Sequence, residues 1–361
     1  VNASSFAARL VAWQRSAGRH HLPWQNTRDA YRIWLSEVML QQTQVSAVKP
    51  YYERFLERFP DVFALARADA DEVMAAWAGL GYYSRARSLH RCAKQIVERG
   101  AGQFPDQLAD LDALPGIGRS TAAAIAVFAF GRREAILDGN VKRVLCRVFG
   151  IDRPMQSQAT ERELVALAYQ LLPKDDIEGY TQGLMDFGAT LCTPRRPNCG
   201  ECPFEADCVA RSSNAIERLP RPRQRRVVPL RRAAFFLFHY DGRVLLQRRP
   251  DSGIWGGLWC LPQSAYASSP LSREQAELEI RAVAPTAVGA AIDAVARFTH
   301  GFTHFTLEAT VWRIALKQPL ELVDSRLVDA MALRELALPQ PIKNLFDQFA
   351  DVSLNSSDLA A

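Results

Sequence analysis

Apolar residues recur at three- and four-residue spacing from about residue 6 to residue 190, as at Ile33, Trp34, Val38 and Val45. That period predicts a body built almost wholly of helices. Phe59-Pro60-Asp61, Gly79-Leu80-Gly81 and Leu114-Pro115-Gly116-Ile117-Gly118 punctuate it as turns. After Pro229 the period shifts to two. Ala233–His239 and Arg243–Arg248 flank Asp241-Gly242, the pattern of a β-hairpin. Phe298, His300, Phe302 and His304, then Phe305, Leu307, Ala309 and Val311, alternate along the next strands. An α+β domain over 230–350 fits this second pattern. Between the two patterns, 218–229 is rich in Pro and Arg and predicts an exposed, semi-rigid linker. The chain is thus expected to be multi-domain: an all-α body over 1–217, the linker, the α+β domain, and a fraying tail over 351–361.

Composition agrees with two domains: 361 residues, 48% hydrophobic and 23% charged, are ordinary for globular chains. The longest apolar run, Thr121–Phe130, is about half the roughly 20 residues of a membrane helix. No basic stretch followed by an apolar core opens the chain, so the expectation is a cytoplasmic protein with no membrane partner. The net charge of +5 is unevenly spread: residues 230–361 carry −1 and residues 1–229 carry +6. Five of the basic residues are Arg218, Arg221, Arg223, Arg225 and Arg226. Such local charge suits a shaped phosphate-binding surface better than a general polycation.

Four of the seven cysteines crowd into one short stretch, Cys192, Cys199, Cys202 and Cys208. Four thiolates there can wrap one compact centre, and spacing alone leaves both an iron–sulfur cluster and a structural zinc open. Leu114–Thr121 lies between two helical stretches, with Pro115 ending the first. Gly116 and Gly118 leave the backbone uncovered where the next helix presents its free N–H groups. That is either a helix–hairpin–helix seat for a phosphate, over 111–130, or an ordinary turn between packed helices. Asp138 precedes a helical run and reads as an N-cap, a place that keeps a carboxylate ionised. Glu37 sits among Trp34, Val38, Met39 and Leu40; burial there would raise its pKa and let it act as an acid near neutral pH.

Taken together, several segments resemble the MutY-type adenine DNA glycosylases. They are Leu35-Ser36-Glu37-Val38-Met39-Leu40-Gln41-Gln42-Thr43-Gln44, Gly79-Leu80-Gly81-Tyr82-Tyr83, Leu114–Ser120, Leu137-Asp138-Gly139-Asn140 and the four cysteines. The resemblance runs from about residue 6 to 350, with the motifs in the family's order. It implies a helix–hairpin–helix glycosylase with a [4Fe–4S] cluster held by Cys192, Cys199, Cys202 and Cys208. The implied substrate is duplex DNA with adenine opposite 8-oxoguanine or guanine, acted on by a monomer in the bacterial cytoplasm, at the nucleoid. Glu37 is implied to protonate adenine N7, Asp138 to stabilise C1′ of the flipped nucleotide, and Asn140 to hold Asp138. Ser120 stands where the related endonuclease III-type enzymes place a Schiff-base lysine, which implies a glycosylase without strand cleavage. Gln42 and Tyr82 match residues that wedge beside 8-oxoguanine. Gly116, Gly118, Lys142, Arg143, Arg195 and Arg196 are expected DNA contacts, and Arg147 reads as readily as a solvated helix face as a phosphate contact.

The second domain resembles a Nudix fold, through Leu245–Pro250 and Gly256–Pro262. Counted against the Nudix hydrolase box, Trp259, Ala265 and Leu278 stand at positions the box gives to Gly or Glu. A nucleotide-pyrophosphate hydrolase is therefore disfavoured. In the family this domain recognises 8-oxoguanine through a Phe-Ser-His element, here Phe302-Thr303-His304. The remaining alternatives are an endonuclease III-type pyrimidine glycosylase/lyase, against which Ser120 speaks, and a non-catalytic DNA-binding iron–sulfur protein, against which Glu37 and Asp138 speak.

Overall fold

The computed structural model describes residues 2–155, 157–221, 227–287 and 290–351. The chain divides into two compact units, Val1–Ala68 with Arg87–Arg225, and Asp69–Ala86 with Arg226–Ala361.

The first unit is helical, as the period predicts. Ala30–Leu40 buries Ile33, Trp34, Leu35, Val38 and Met39, and Asp29 caps it by accepting from the N–H groups of Tyr31 and Arg32. Val45 does not continue this helix. Gln42 takes a left-handed backbone, φ 58°, and a new helix starts at Val45 and runs to Arg58. Helices Leu108–Asp112 and Arg119–Phe130 enclose the Leu114–Gly118 turn. Gly139–Phe149 and Ile177–Asp186 supply much of one core cluster, with Phe6, Leu10, Val144, Leu145, Tyr180, Leu184 and Phe187. Gly183 lets the N-terminal helix Ala3–Ala17 approach closely, since a Cβ there would sit 3.2 Å from side-chain carbons of Gln14 and Leu10.

Residues 218–221 behave differently from the exposed linker expected of them. Leu219 is buried and its carbonyl accepts from Arg147 Nε at 2.8 Å. Arg218 and Arg221 both pair with Asp152. Residues 222–226 of the expected linker, and 352–361 of the expected tail, lie outside the described residues.

The second unit is built on a mixed sheet: β1 (Leu230–Tyr240), β2 (Arg243–Arg248), β3 (Trp259–Cys260), β4 (Ile292–Gly301), β5 (Thr306–Ala315) and β6 (Ser325–Val328). The order is β3-β2-β1-β5-β4, with β6 also on β2; β1 and β5 are parallel and the other pairs antiparallel. The β1–β2 turn follows the sequence signal, with Asp241 and Gly242 both left-handed at φ 48° and 69°, as a tight hairpin turn requires. Ala233–Phe238 is buried on both sides, the mark of a central strand. Ala276 and Ile280 of helix Arg273–Val283 cover one face, against Ala234, Phe236, Phe238 and Ile314. Phe235 on the other face meets Trp255 and Phe298. The short helix Ala70–Trp77, which its place in the chain assigned to the helical body, belongs to this unit.

Candidate active site

Two carboxyls of the helical unit come close enough to influence one another. Glu37 leaves the inner face of Ala30–Leu40 between Ser36, 1% exposed, and Val38, 3% exposed. Burial in these surroundings, and secondarily the charge of Asp138, pushes its carboxyl up to about 8. Asp138 is held as an acceptor. It caps helix Gly139–Phe149, taking the Val141 N–H at 2.7 Å and the Asn140 amide at 3.2 Å. One carboxyl thus carries a proton at neutral pH while its neighbour is fixed to accept hydrogen bonds.

Glu37 opens into a cavity of about 360 Å³, a size suited to one small flat ligand. Trp24, Leu22, Gln25, Phe128, Gln182 and Met185 share its lining, and Asp138 lies outside it. Its polar wall is fixed by pairs distant in sequence. Arg28 reaches Glu178 at 2.6 Å, and the fully buried Asp186 accepts from Arg19 Nε, the Arg19 N–H and Gln182 Nε2. None of these residues stood out in the sequence. The Arg28–Glu178 and Arg19–Asp186 pairs span 150 and 167 residues, so no local spacing announces them; His21-Leu22-Pro23-Trp24, an aromatic after a Pro turn, is the one faint signal.

Asn140 extends the contacts of Asp138 inward. Its Oδ1 accepts from Arg143 Nη2 at 2.8 Å, and Arg143 also donates to the carbonyls of Gly188 and Cys192. Gly188 is required by crowding: a Cβ there would lie 2.7 Å from Asn140 Cβ. Arg143 is 8% exposed and faces the protein, which corrects its expected role as a phosphate contact. Arg147, 3% exposed, is likewise no solvated face; it donates to the carbonyls of Thr193, Pro194 and Leu219 and to Cys192 Sγ. The helical period places one side of this helix inward, but it does not tell an inward arginine from an outward one. Lys142 is engaged with Glu161.

Arg143→Ala should destabilise the protein by roughly 2–4 kcal/mol, because it strands two buried carbonyls and the Asn140 amide oxygen. Thermal unfolding together with iron content per chain checks this, and full retention of both would contradict the linkage.

The four cysteines are unpaired, and their donor chemistry fits an iron–sulfur group. The Cys202 thiol is raised to about 11, chiefly by burial; a backbone N–H at Phe204 opposes this, and charges on Cys192, Cys208 and Cys199 add to it, so all four sulfurs share one neighbourhood. Phe204 N–H and Arg147 Nη1 already aim at Cys202 and Cys192 sulfurs, at 3.3 and 3.6 Å. Among the described residues no three thiol, imidazole or carboxylate groups close around a single point as one metal ion would need. Phe204 anchors the loop, stacked on Phe6 with ring centroids 4.6 Å apart. Arg195 and Arg196 are exposed on its outer side.

At the Leu114–Gly118 turn, Gly116 is left-handed at φ 78°, and a Cβ there would meet Ser88 Cβ at 2.6 Å. Gly118 starts helix Arg119–Phe130 with no side-chain cap, leaving first-turn N–H groups for an outside acceptor. Ser120 lies half-buried in that first turn. Gln41 is tied to Thr121 Oγ1 at 3.2 Å, whereas the neighbouring Gln42 is exposed in its left-handed conformation.

In the second unit, Tyr82 is also exposed, 45%, and left-handed at φ 48°. Non-glycine residues held this way are costly and gather at functional positions. Phe302 N–H donates to the Phe305 carbonyl at 2.8 Å, so Thr303 and His304 form the exposed tip of the β4–β5 hairpin. Phe305 beneath the tip is buried and packs on Phe302, Tyr266 and the Arg231 guanidinium.

Comparison with known proteins resolves the family. Residues 35–168 match the HhH-GPD superfamily base excision DNA repair proteins, residues 192–208 the iron-sulfur binding domain of endonuclease III, and residues 233–348 the NUDIX domain. The adenine DNA glycosylase of Buchnera aphidicola subsp. Acyrthosiphon pisum is 30% identical over 349 residues, covering 95% of this chain and 97% of its own. This chain belongs to the adenine DNA glycosylases. The Homo sapiens adenine DNA glycosylase is 33% identical, over 87% of this chain and 67% of the human one. As an adenine DNA glycosylase it is a DNA-binding enzyme of base excision repair with a [4Fe–4S] cluster. The cluster segment begins at Cys192 and ends at Cys208. A thermostable thymine-DNA glycosylase shares the helical fold, with a TM-score of 0.53 and 28% identity over 58% of this chain and 97% of that one. A non-covalent endonuclease III–DNA complex shares it at a TM-score of 0.50, with 21% identity over 59% and 98% of the two chains.

Proposed function

We propose that this adenine DNA glycosylase hydrolyses the N-glycosidic bond of adenine opposite 8-oxoguanine or guanine, without cleaving the strand. The observation that carries the chemistry is Glu37, raised by burial, beside Asp138, which is fixed as a hydrogen-bond acceptor. Glu37, protonated up to about pH 8, faces the cavity and gives its proton to the adenine N7 as the base departs. Asp138, kept as an acceptor by Val141 N–H and Asn140, supplies negative charge beside C1′ as the sugar becomes cation-like. Water then completes the sugar, and Glu37, having lost its proton, is the group placed to accept one. The cavity takes the flipped base.

The other residues divide between holding DNA and reading the opposite base. The uncapped N–H groups at Gly116–Gly118 and the exposed Arg195 and Arg196 suit phosphates. Lys142 reaches a phosphate only by leaving Glu161. Cys192, Cys199, Cys202 and Cys208 hold the cluster, which fixes the loop that carries the two arginines. Gln42 and Tyr82, exposed and strained, fit insertion beside the unpaired step. Thr303 and His304, with Phe302 at their base, offer a hydroxyl and an imidazole to 8-oxoguanine.

Ser120 has no amine for an imine with C1′. Incubation with adenine opposite 8-oxoguanine should therefore yield an intact abasic strand that breaks only after alkali. Borohydride trapping of a stoichiometric covalent complex would oppose this. Thr303→Ala should lower the preference for 8-oxoguanine over guanine by a few-fold to about tenfold, the worth of one neutral hydrogen bond. Thr303→Ser should be nearly silent. Single-turnover rates on the two duplexes measure both.

A further inference from the structure

Helix Ala70–Trp77 ends in the strained segment that presents Tyr82, and its other end is gripped by the sheet. Asp71, in its first turn, takes Arg248 Nη2 of β2 at 2.9 Å on one oxygen and the indole N–H of Trp259 of β3 at 3.2 Å on the other. The Arg326 guanidinium lies 4.1 Å from the Trp259 ring centre and backs the indole. A capping box between Asp69 and Glu72 fixes the start of the helix. The helix is about 12 Å long, short enough to act as a stiff strut. At its far end Trp77 Nε1 donates to the Gly81 carbonyl, and Arg85 donates to the carbonyls of Leu80 and Gly81 while lying 5.5 Å from the Tyr82 ring centre. Tyr82 is thus tied, through one rigid helix, to strands of the domain whose hairpin tip is Thr303-His304.

We propose that Asp71 is a positioning residue for discrimination of the base opposite adenine: by joining Arg248 and Trp259 it makes the Tyr82 segment move as one body with the sheet. The proposal rests on the reading of Tyr82 and Thr303 as groups that meet that base. Asp71 itself touches neither DNA nor the excised adenine. Its effect is transmitted: when the carboxylate goes, the strut is released at its base and Tyr82 loses its fixed relation to the hairpin tip. A half-exposed ion pair with one added hydrogen bond gives an effect of a few-fold rather than orders of magnitude.

The test uses the full chain with its cluster. Asp71→Ala should lower the single-turnover ratio of adenine:8-oxoguanine to adenine:guanine by three- to tenfold, with the adenine:guanine rate changed less than twofold. It should also speed amide exchange across residues 79–83 by at least several-fold. Adding Asp71→Ala to Tyr82→Ala should lower the ratio no further, and the reversed pair Asp71→Arg with Arg248→Asp should partly restore it over either reversal alone. An unchanged ratio for Asp71→Ala, where Tyr82→Ala and Thr303→Ala each lower it, overturns the proposal and leaves the lesion reading intact. Full additivity with Tyr82→Ala also overturns it. If neither Tyr82→Ala nor Thr303→Ala lowers the ratio, the lesion reading itself fails; unchanged exchange at 79–83 in Asp71→Ala then removes the latch as well.

Discussion

Glu37→Gln should reduce single-turnover excision of adenine by about two to four orders of magnitude at pH 7, the range over which a general acid contributes. The amide keeps the shape and most of the hydrogen bonding of the acid but has no proton to give. Affinity for the mispaired duplex should survive, because the side chain lines the cavity and not the Leu114–Gly118 turn proposed to hold phosphate. The pH profile should identify the group. With the carboxyl pushed up to about 8 by burial and then by Asp138, wild-type kcat/KM should hold level across neutral pH and fall about tenfold per unit above 8. Stability should fall over a lower range of pH than activity. The folded pKa lies above the ordinary 4.5, so the native state must take up a proton that the unfolded chain releases. Stability is full below about pH 4.5 and is lost as pH rises toward 8; at pH 7 the loss is about 3 kcal/mol. Glu37→Gln removes that burden, and its melting temperature at pH 7 should exceed the wild type's by several degrees. Wild-type excision in the amide variant, or an unchanged pH limit, would falsify the acid assignment.

Asp138→Asn should be as damaging to catalysis while leaving the stability of the fold nearly unchanged. Asparagine caps helices about as well as aspartate, so the Val141 N–H keeps an acceptor and helix Gly139–Phe149 keeps its start. What disappears is the negative charge beside the site of bond breaking. Loss of roughly three orders of magnitude in single-turnover rate is expected, from the size of electrostatic contributions at such sites. Asp138→Ala should lose a similar amount of activity and, in addition, about 1 kcal/mol of stability with the cap. Circular dichroism melts beside excision assays separate the two. An Asp138→Asn enzyme that still excises adenine at near wild-type rate would leave the carboxylate as a cap and nothing more.

The residues whose roles depend on neighbours in sequence were legible before any coordinates. The apolar flank of Glu37 was legible, though its burial and the nearby Asp138 come only with the fold. Asp138 precedes a helix and Asp241-Gly242 dictates a left-handed turn, and in both cases the deciding physics acts within four residues. The four cysteines announce a shared centre for the same reason. Arg143 and Arg147 were misread because charge and period together favour solvent, while the carbonyls that draw them inward belong to residues about 45 positions later. The cavity wall was invisible for a stronger form of that reason: Arg28 with Glu178 and Arg19 with Asp186 mean nothing until helix Ile177–Asp186 packs beside the first. Helix Ala70–Trp77 lies inside the stretch that matches the HhH-GPD superfamily, yet its contacts group it with the sheet; a sequence offers only contiguity as a guide to such grouping.

The stacking of Phe6 on Phe204 sets an order of assembly. Phe6 leaves the ribosome nearly two hundred residues before Phe204, so the aromatic contact that closes this core joins distant parts of the helical body. Such a long-range closure is slow to form. Until it forms, Phe6, Phe187 and Tyr180 keep apolar faces exposed, the condition under which growing chains aggregate. The cysteine loop carries Phe204 between Cys202 and Cys208, so the step that seats the ring also gathers the sulfurs. Supply of iron and sulfide during synthesis would then govern the yield of folded chain as well as its activity.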